Sequence, residues 1–508
     1  MNTNSHRVTS GLAVAVATAV VCSLAAPAAF AAPARAASAA GEQAVGERTA
    51  GKPASARPED FNGDGFRDVA VSAPAGTADG TKKAGYVAVL YGSKSKPLPG
   101  VRKLFHQDRP GMPGAAEAGD AYGSALATAD LDRDGYTDLV VGAPGEDVGA
   151  RDRAGALSVI WGGAKGLGGA ATPLDGAAEY DRVGAHVVTG DFDGDGDFDV
   201  ATVEGDSGLR VLSGPFRRDG SAAADSSVGS FDSTVVMDLA AGDVNGDGRT
   251  DIAAVRHDTD EYDARRTVVW KGGRNGPAPA AVVEDGLGGV LEGGENLDLG
   301  DIDGDGFEDI VTGRAVDGYD SDLGIPLANG GMITVVPGSA KGPAGARARS
   351  FNQDSAGIPG TAEADDAFGS GVSVGDLDGD GYAEVSVGVP GESFDGITAT
   401  GAVITLRGAR KGLTGAGAKG FNQSTRGVPG TAEKRDLFGS ATKSADLNGD
   451  GRAELIVGAE GENDAAGALW ILRGTSAGPT VDKSVTFGNG TLGAIAAPES
   501  ALGSVFNH

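Results

Sequence analysis

The chain of 508 residues contains one cysteine, Cys22, three tryptophans and five histidines, and only 5% of its residues are aromatic. A single thiol cannot close an intrachain disulfide. The histidines, His6, His106, His186, His257 and His508, are dispersed, and no zinc-ligand spacing, nucleophile elbow or phosphate loop is present. Basic residues are outnumbered, 42 Lys and Arg against 71 Asp and Glu, and the formal charge of -29 comes with no basic cluster. That balance argues against nucleic acid as a partner and against docking on an anionic membrane.

The uncharged apolar run from Gly11 to Ala26 follows Arg7 and precedes the small-x-small triplet Ala29-Phe30-Ala31. Residues 1–31 therefore read as a secretory signal peptide. The run is short for a membrane anchor and is followed by alanine and proline rather than a basic stop-transfer cluster, so no membrane insertion is expected. Cys22 lies inside the run, preceded by Ala19-Val20-Val21, which is a poor lipoprotein signal. Cleavage after Ala31 would leave a secreted, extracellular protein without cysteine, and such a protein needs another staple. Bound calcium is the candidate. Residues 32–57, rich in Ala, Gly and Pro and without an apolar period, read as a disordered linker. Residues 58–508 read as one large domain.

Glycine is abundant, at 87 residues, which indicates many turns and an all-β chain. Seven nine-residue stretches place oxygen side chains at positions one, three, five and nine around a glycine at position six. They are Asp60, Asn62, Asp64 and Asp68; Asp130, Asp132, Asp134 and Asp138; Asp191, Asp193, Asp195 and Asp199; Asp243, Asn245, Asp247 and Asp251; Asp301, Asp303, Asp305 and Asp309; Asp376, Asp378, Asp380 and Glu384; and Asp446, Asn448, Asp450 and Glu454. Calcium takes six to eight hard oxygen ligands, and position seven adds a backbone carbonyl, from Phe66, Tyr136, Asp197, Arg249, Phe307, Tyr382 and Arg452. An EF-hand is excluded because position twelve holds Val, Thr or Ala instead of Glu. Asp-Gly turns also form without metal, but converging carboxylates repel unless a cation joins them. Up to seven calcium ions are expected, with a structural role, and the three loops with Asn are expected to bind more weakly.

Around these loops the sequence repeats. Tyr122-Gly123, Phe368-Gly369 and Phe438-Gly439 each stand eight residues before a loop, and Gly142-Ala143-Pro144, Gly388-Val389-Pro390 and Gly458-Ala459 follow the next strand. A third strand ending in glycine can be counted seven times, at Gly92, Gly162, Gly214, Gly272, Gly338, Gly408 and Gly474. A fourth segment carries Phe105-His106-Gln107, Phe351-Asn352-Gln353 and Phe421-Asn422-Gln423, each before a Pro-Gly turn. Four short strands per repeat match a propeller blade. The first loop lacks a preceding Phe-Gly strand, and Ser500 to Ser504 resembles Asp366 to Ser370. The expected fold is a seven-bladed β-propeller in which the N- and C-terminal segments share one blade.

These motifs resemble FG-GAP repeat proteins, whose best-known members are the β-propeller heads of integrin alpha subunits. The resemblance covers residues 58–508 and implies a seven-bladed propeller with calcium in the hairpins between first and second strands. It further implies extracellular ligand binding or adhesion, with a protein or a cell-surface polysaccharide as partner. The chain itself is expected to be a monomer. Departures occur at Val183-Gly184, at Val203-Glu204-Gly205 and around the fourth loop, where neither motif is found. There is no Arg-Gly-Asp, so ligand identity does not carry over. The residue before each third-strand glycine varies, which suggests exposure, and Tyr91 and Trp161 on adjacent blades would then offer an aromatic platform; rim packing between loops is the alternative. No catalytic residue is assigned. An extracellular polysaccharide lyase or hydrolase with its site in the channel is the second function class.

Overall fold

A computed structural model describes residues 57–94, 102–229, 234–258, 264–317, 319–320, 325–326 and 329–507. The signal-peptide stretch, nearly all of the linker and His508 lie outside the described residues. Seven four-stranded antiparallel sheets follow one another along the chain, and they are the seven blades. Blade 2 is the pattern for the rest, with strands Leu126–Ala129, Asp138–Ala143, Ala156–Ile160 and Ala170–Asp175 in spatial order. Inner strands of successive blades contact one another around the axis. Among the described residues no helix is long and apolar enough to cross a membrane.

The apolar pattern follows from this stacking. A blade's middle strands are covered on both faces by its neighbours, so Val69–Ala73 (VAVSA) and Asp138–Ala143 (DLVVGA) are buried along their whole length instead of alternating. The fourth strand meets solvent, and Ala224–Ser227 is exposed throughout. The core lies between blades: Val140 and Val159 of blade 2 share a cluster with Val200 and Leu212 of blade 3.

Closure occurs in the blade expected from the terminal match. Val505–Phe506 is the inner strand of the sheet holding Val69–Ala73, Tyr86–Leu90 and Arg102–Phe105, with Val71 opposite Phe506 and Ser72 opposite Val505. Asn507 extends the seam: its Oδ1 accepts the Ala70 N–H at 2.9 Å and its Nδ2 donates to Glu59 Oε1 at 2.8 Å. Lys443 of blade 7 reaches the same Glu59 oxygen at 2.6 Å, which ties the seam to the adjacent blade.

The repeated glycines mark contacts too close for a side chain. A Cβ on Gly388 would lie 1.8 Å from the carbonyl oxygen of Gly439 in blade 7, and one on Gly142 would lie 1.9 Å from that of Gly184 in blade 3. The Phe-His-Gln and Phe-Asn-Gln segments carry latches between blades. Gln353 Nε2 donates to Glu392 at 2.5 Å and Gln423 Nε2 to Glu462 at 2.7 Å, while Gln107 is paired in the same way with Glu146.

Candidate metal centres

Each nine-residue loop is the hairpin between the first and second strands of its blade, except in blade 1, where the inner strand comes from the C-terminal segment. The backbone folds around the first carboxylate. Asp376 Oδ1 accepts the N–H groups of Gly379 and Asp380 at 2.6 and 3.2 Å, and its Oδ2 accepts that of Gly381 at 3.0 Å. Asp378 Oδ1 and Asp380 Oδ1 accept the N–H groups of Asp380 and Tyr382, and their Oδ2 atoms accept from Arg407 Nη2 at 2.6 and 3.3 Å. Gly381 at position six has φ 89°, in the left-handed region that glycine adopts without strain.

The ninth residue is a second staple. Asp138 Oδ2 accepts the Leu131 N–H at 2.9 Å, and its Oδ1 accepts the N–H of Gly162, the third-strand glycine, at 2.7 Å. The same pair of bonds recurs at Asp68, Asp199 and Asp309. In blade 6 the longer Glu384 keeps only the first bond, to Leu377, and its Oε1 is buried without a hydrogen-bond partner.

In four loops three carboxylate oxygens come within 4.8 Å of one another: Asp130, Asp132 and Asp138; Asp191, Asp193 and Asp199; Asp301, Asp303 and Asp305; Asp376, Asp378 and Glu384. Burial, followed by the neighbouring carboxylates, pushes Glu384 up to about 8. Asp138 is pushed up to about 8 and Asp199 to about 6, again chiefly by burial. Oxygen-only donors, mutual repulsion and the orphaned Glu384 Oε1 together fit a hard divalent cation. In two of the three loops with Asn the amide plugs the ninth carboxylate: Asn245 Nδ2 donates to Asp251 at 2.7 Å, and Asn448 Nδ2 donates to Glu454. Arginines cap two of the acidic loops. Arg218 Nε and Nη2 lie 2.5 Å from Asp132 and Asp134, and Arg407 Nη2 lies 2.6 Å from Asp378.

Adjacent loops interlock. A Cβ on Gly63 would meet the Tyr136 ring of the next loop at 2.6 Å, and Gly246 and Gly304 stand in the same relation to Phe307 and Tyr382. Gly194 and Gly379 lie under the side chains of Arg249 and Arg452, and Gly449 of blade 7 under Phe66 of blade 1. Between blades 2 and 3 the pattern is exchanged for charge: Arg133 replaces the glycine at φ 60° and pairs with Asp197. Position four of one loop thus sits against position seven of the next around the entire ring.

The FG-GAP repeat profile matches residues 53–90, 122–160, 368–406 and 438–472, which fall in blades 1, 2, 6 and 7. Four of the seven blades are FG-GAP repeats. Phosphatidylinositol-glycan-specific phospholipase D of Rattus norvegicus is 30% identical over 159 residues, covering 31% of this chain and 18% of that protein. Integrin alpha-5 of Xenopus laevis is 36% identical over 96 residues, covering 18% of this chain and 8% of that protein. The FG-GAP propeller thus spans under a fifth of the length of these relatives. Among solved structures, the dihydro-heme d1 dehydrogenase NirN aligns over 83% of this chain and 73% of its own with 13% identity and a TM-score of 0.38.

The aromatic platform expected at Tyr91 and Trp161 does not form on the surface of the FG-GAP propeller. The two side chains are 6% and 3% exposed. Tyr91 Oη accepts the Leu167 N–H at 3.0 Å, and Arg218 lies 5.9 Å from the Trp161 ring centre. Both positions are covered by a segment of the next blade, whereas the equivalent Arg407 of blade 6 is exposed.

Two concavities lie elsewhere. One, of about 740 Å³, is formed by the turns at the strand ends opposite the loops in blades 1 to 3, where Lys83, Arg153, Arg182 and Tyr180 are exposed. The other, of about 400 Å³, is lined by inner strands around the axis and contains His186 Nδ1 3.8 Å from Asp238 Oδ1. The sequence pointed to a site in the channel without naming its residues, and it did not point to the groove. The turn cations are scattered in the chain, and only blade stacking brings them together.

Proposed function

We propose that this FG-GAP propeller is a secreted, calcium-loaded binding module that takes an anionic extracellular ligand, a protein or a cell-surface polysaccharide, in the groove between the turns of blades 1 to 3. The observation that carries this reading is the gathering of Lys83, Arg153 and Arg182 around one cavity in a chain of net charge -29. Local positive charge on an acidic protein selects anionic partners and speeds their encounter. The loops at the other ends of the strands hold calcium through their four side-chain positions and the carbonyl of position seven, and they fix the blade edges that carry the groove. The signal-peptide pattern of residues 1–31 supports secretion.

The test is sedimentation of the full protein with cell walls and insoluble polysaccharides, with calcium or with a chelator. Calcium-dependent pelleting that weakens about tenfold on Arg182→Glu, a ~1.4 kcal/mol effect, is expected. Pelleting unaffected by Lys83→Glu, Arg153→Glu and Arg182→Glu together would overturn the groove. The second reading, polymer cleavage in the channel, rests on His186 beside Asp238, and its signature is soluble sugar in the supernatant.

A further inference from the structure

Blade 1 carries a cluster that the oxygen loops do not explain. A ring nitrogen of His106 and one carboxylate oxygen each from Asp79 and Asp108 lie within 4.8 Å of one another. Asp79 sits in the tight turn bridging Ala78 and Thr81, between the second and third strands, at φ 43°. His106 and Asp108 follow the fourth strand, Arg102–Phe105. The cluster therefore lies at the strand ends opposite the blade's nine-residue loop.

Two features set His106 apart from a packing residue. It is 4% exposed, yet its Nδ1 is buried without a hydrogen-bond partner, and its Nε2 lies 3.9 Å from Asp79 Oδ2, too far for a hydrogen bond. The corresponding positions in other blades hold Asn352 and Asn422, whose side chains close the turn onto Ser355 and Thr425. Three residues after His106 stands Arg109, so that bond cannot form in blade 1. The equivalent of Asp79 in blade 6 is Asp395, also left-handed at φ 55°, in a blade that carries Asn422 and Ser424 where blade 1 has His106 and Asp108. Among the described blades, blade 1 combines all three ligand types.

We propose that Asp79, His106 and Asp108 bind one first-row divalent ion of the zinc type. Imidazole nitrogen is a poor ligand for calcium and a good one for zinc, cobalt or nickel, and two carboxylates complete three protein ligands with room for water. Burial lowers the proton affinity of His106, which keeps the imidazole in the neutral form that a metal requires. Zinc holds tetrahedral ligands roughly 3.3 Å apart, given bonds of about 2.0 Å, so the exposed Asp79 swings inward on binding, while Asp108, whose Oδ1 accepts the Ala116 N–H at 3.0 Å, offers its other oxygen. The site is separate from the calcium loops and does not depend on them.

The experiment is titration of the full protein with zinc, and with cobalt as a visible-absorbing substitute, in buffer already saturated with calcium. One zinc ion per chain is expected to bind under calcium excess. His106→Asn, which installs the residue of blade 6, is expected to weaken it at least about tenfold while the calcium titration is unchanged. Asp79→Asn, on an exposed turn outside the core, is expected to weaken it too and serves if His106→Asn does not fold. Zinc uptake that both variants leave unchanged, or no uptake in the presence of calcium, would overturn the proposal.

Discussion

Blades 1, 2, 6 and 7 match the FG-GAP profile and blades 3 to 5 do not, yet all seven build the same four-stranded sheet around the same loop. The difference lies in how neighbouring blades touch. Between blades 6 and 7 two backbones meet at Gly388 and Gly439 with no room for a side chain. At the same place between blades 3 and 4 stand Val203 and Val236, which belong to one buried cluster. Blade 4 uses the space differently as well: its first hairpin spans Thr234–Gly242 and Asp251–Asp258, with a bulge between Val236 and Asp238, where blades 2 and 6 turn at Tyr122-Gly123 and Phe368-Gly369. The motif that names the family is thus one solution to blade contact, and the oxygen loop is the part all seven blades keep.

The sharpest way to break this comparison is to place a side chain at a backbone contact. Gly388→Ala forces a Cβ against the Gly439 carbonyl and is expected to cost about 3 kcal/mol, whereas Val203→Ala leaves a small cavity and costs about 2 kcal/mol. Chemical denaturation measures both, and equal losses would mean that the two interfaces do not differ in kind.

Next in size is acidity. Without calcium, the raised carboxyls of Asp68, Asp138 and Glu384, all near 8, keep protons in the folded chain that the unfolded chain has released. Their contribution is full below the ordinary carboxylate range near 4 and fades as pH climbs toward 8. Asp120, Glu308 and Glu462, each near 7, act in the same direction. Melting in chelator is therefore expected to fall from pH 5 to pH 8. Calcium should flatten the slope, and a rising slope in chelator would contradict the burial described.

A smaller effect separates the loops themselves. Asp378→Asn converts the blade 6 loop to the blade 7 type and Asn448→Asp does the reverse. The first is expected to remove about 1 kcal/mol of calcium-dependent stabilisation and the second to add a similar amount. Calorimetric calcium titration of both variants checks this, and identical titrations would show that the amide at position three is no handicap. Smallest of all is Arg133→Gly, where relief of a left-handed arginine, about 0.5 to 1 kcal/mol, offsets a half-exposed ion pair. A shift beyond about 1 kcal/mol in either direction would show that the charged contact between blades 2 and 3 differs from its glycine counterparts.

The loops, the blade count and the shared blade were legible because each depends on residues close in sequence. Asp376 to Glu384 announces its turn through alternate oxygens and Gly381, and the third-strand glycines could be counted directly. What those glycines do was not legible: Gly162 presents its N–H to Asp138 across the hairpin, a relation that only the folded strand defines. Which of the two readings of Tyr91, platform or rim packing, holds was not legible for a related reason, since its cover, Leu167, is 76 residues away along the chain. His106 shares its repeat position with Asn352 and Asn422, and the cluster with Asp79 emerges only when the second and fourth strands lie in one sheet.

The contacts that run from position four of each loop to position seven of the next, through Gly449 and Phe66 back to Gly63, form a hoop. A hoop carries tension without an end at which to fail. Force that splays the blades apart is shared among the joints between the loops before it reaches the two residue pairs that close blade 1. A cation taken up by the loops would stiffen the band that protects that seam.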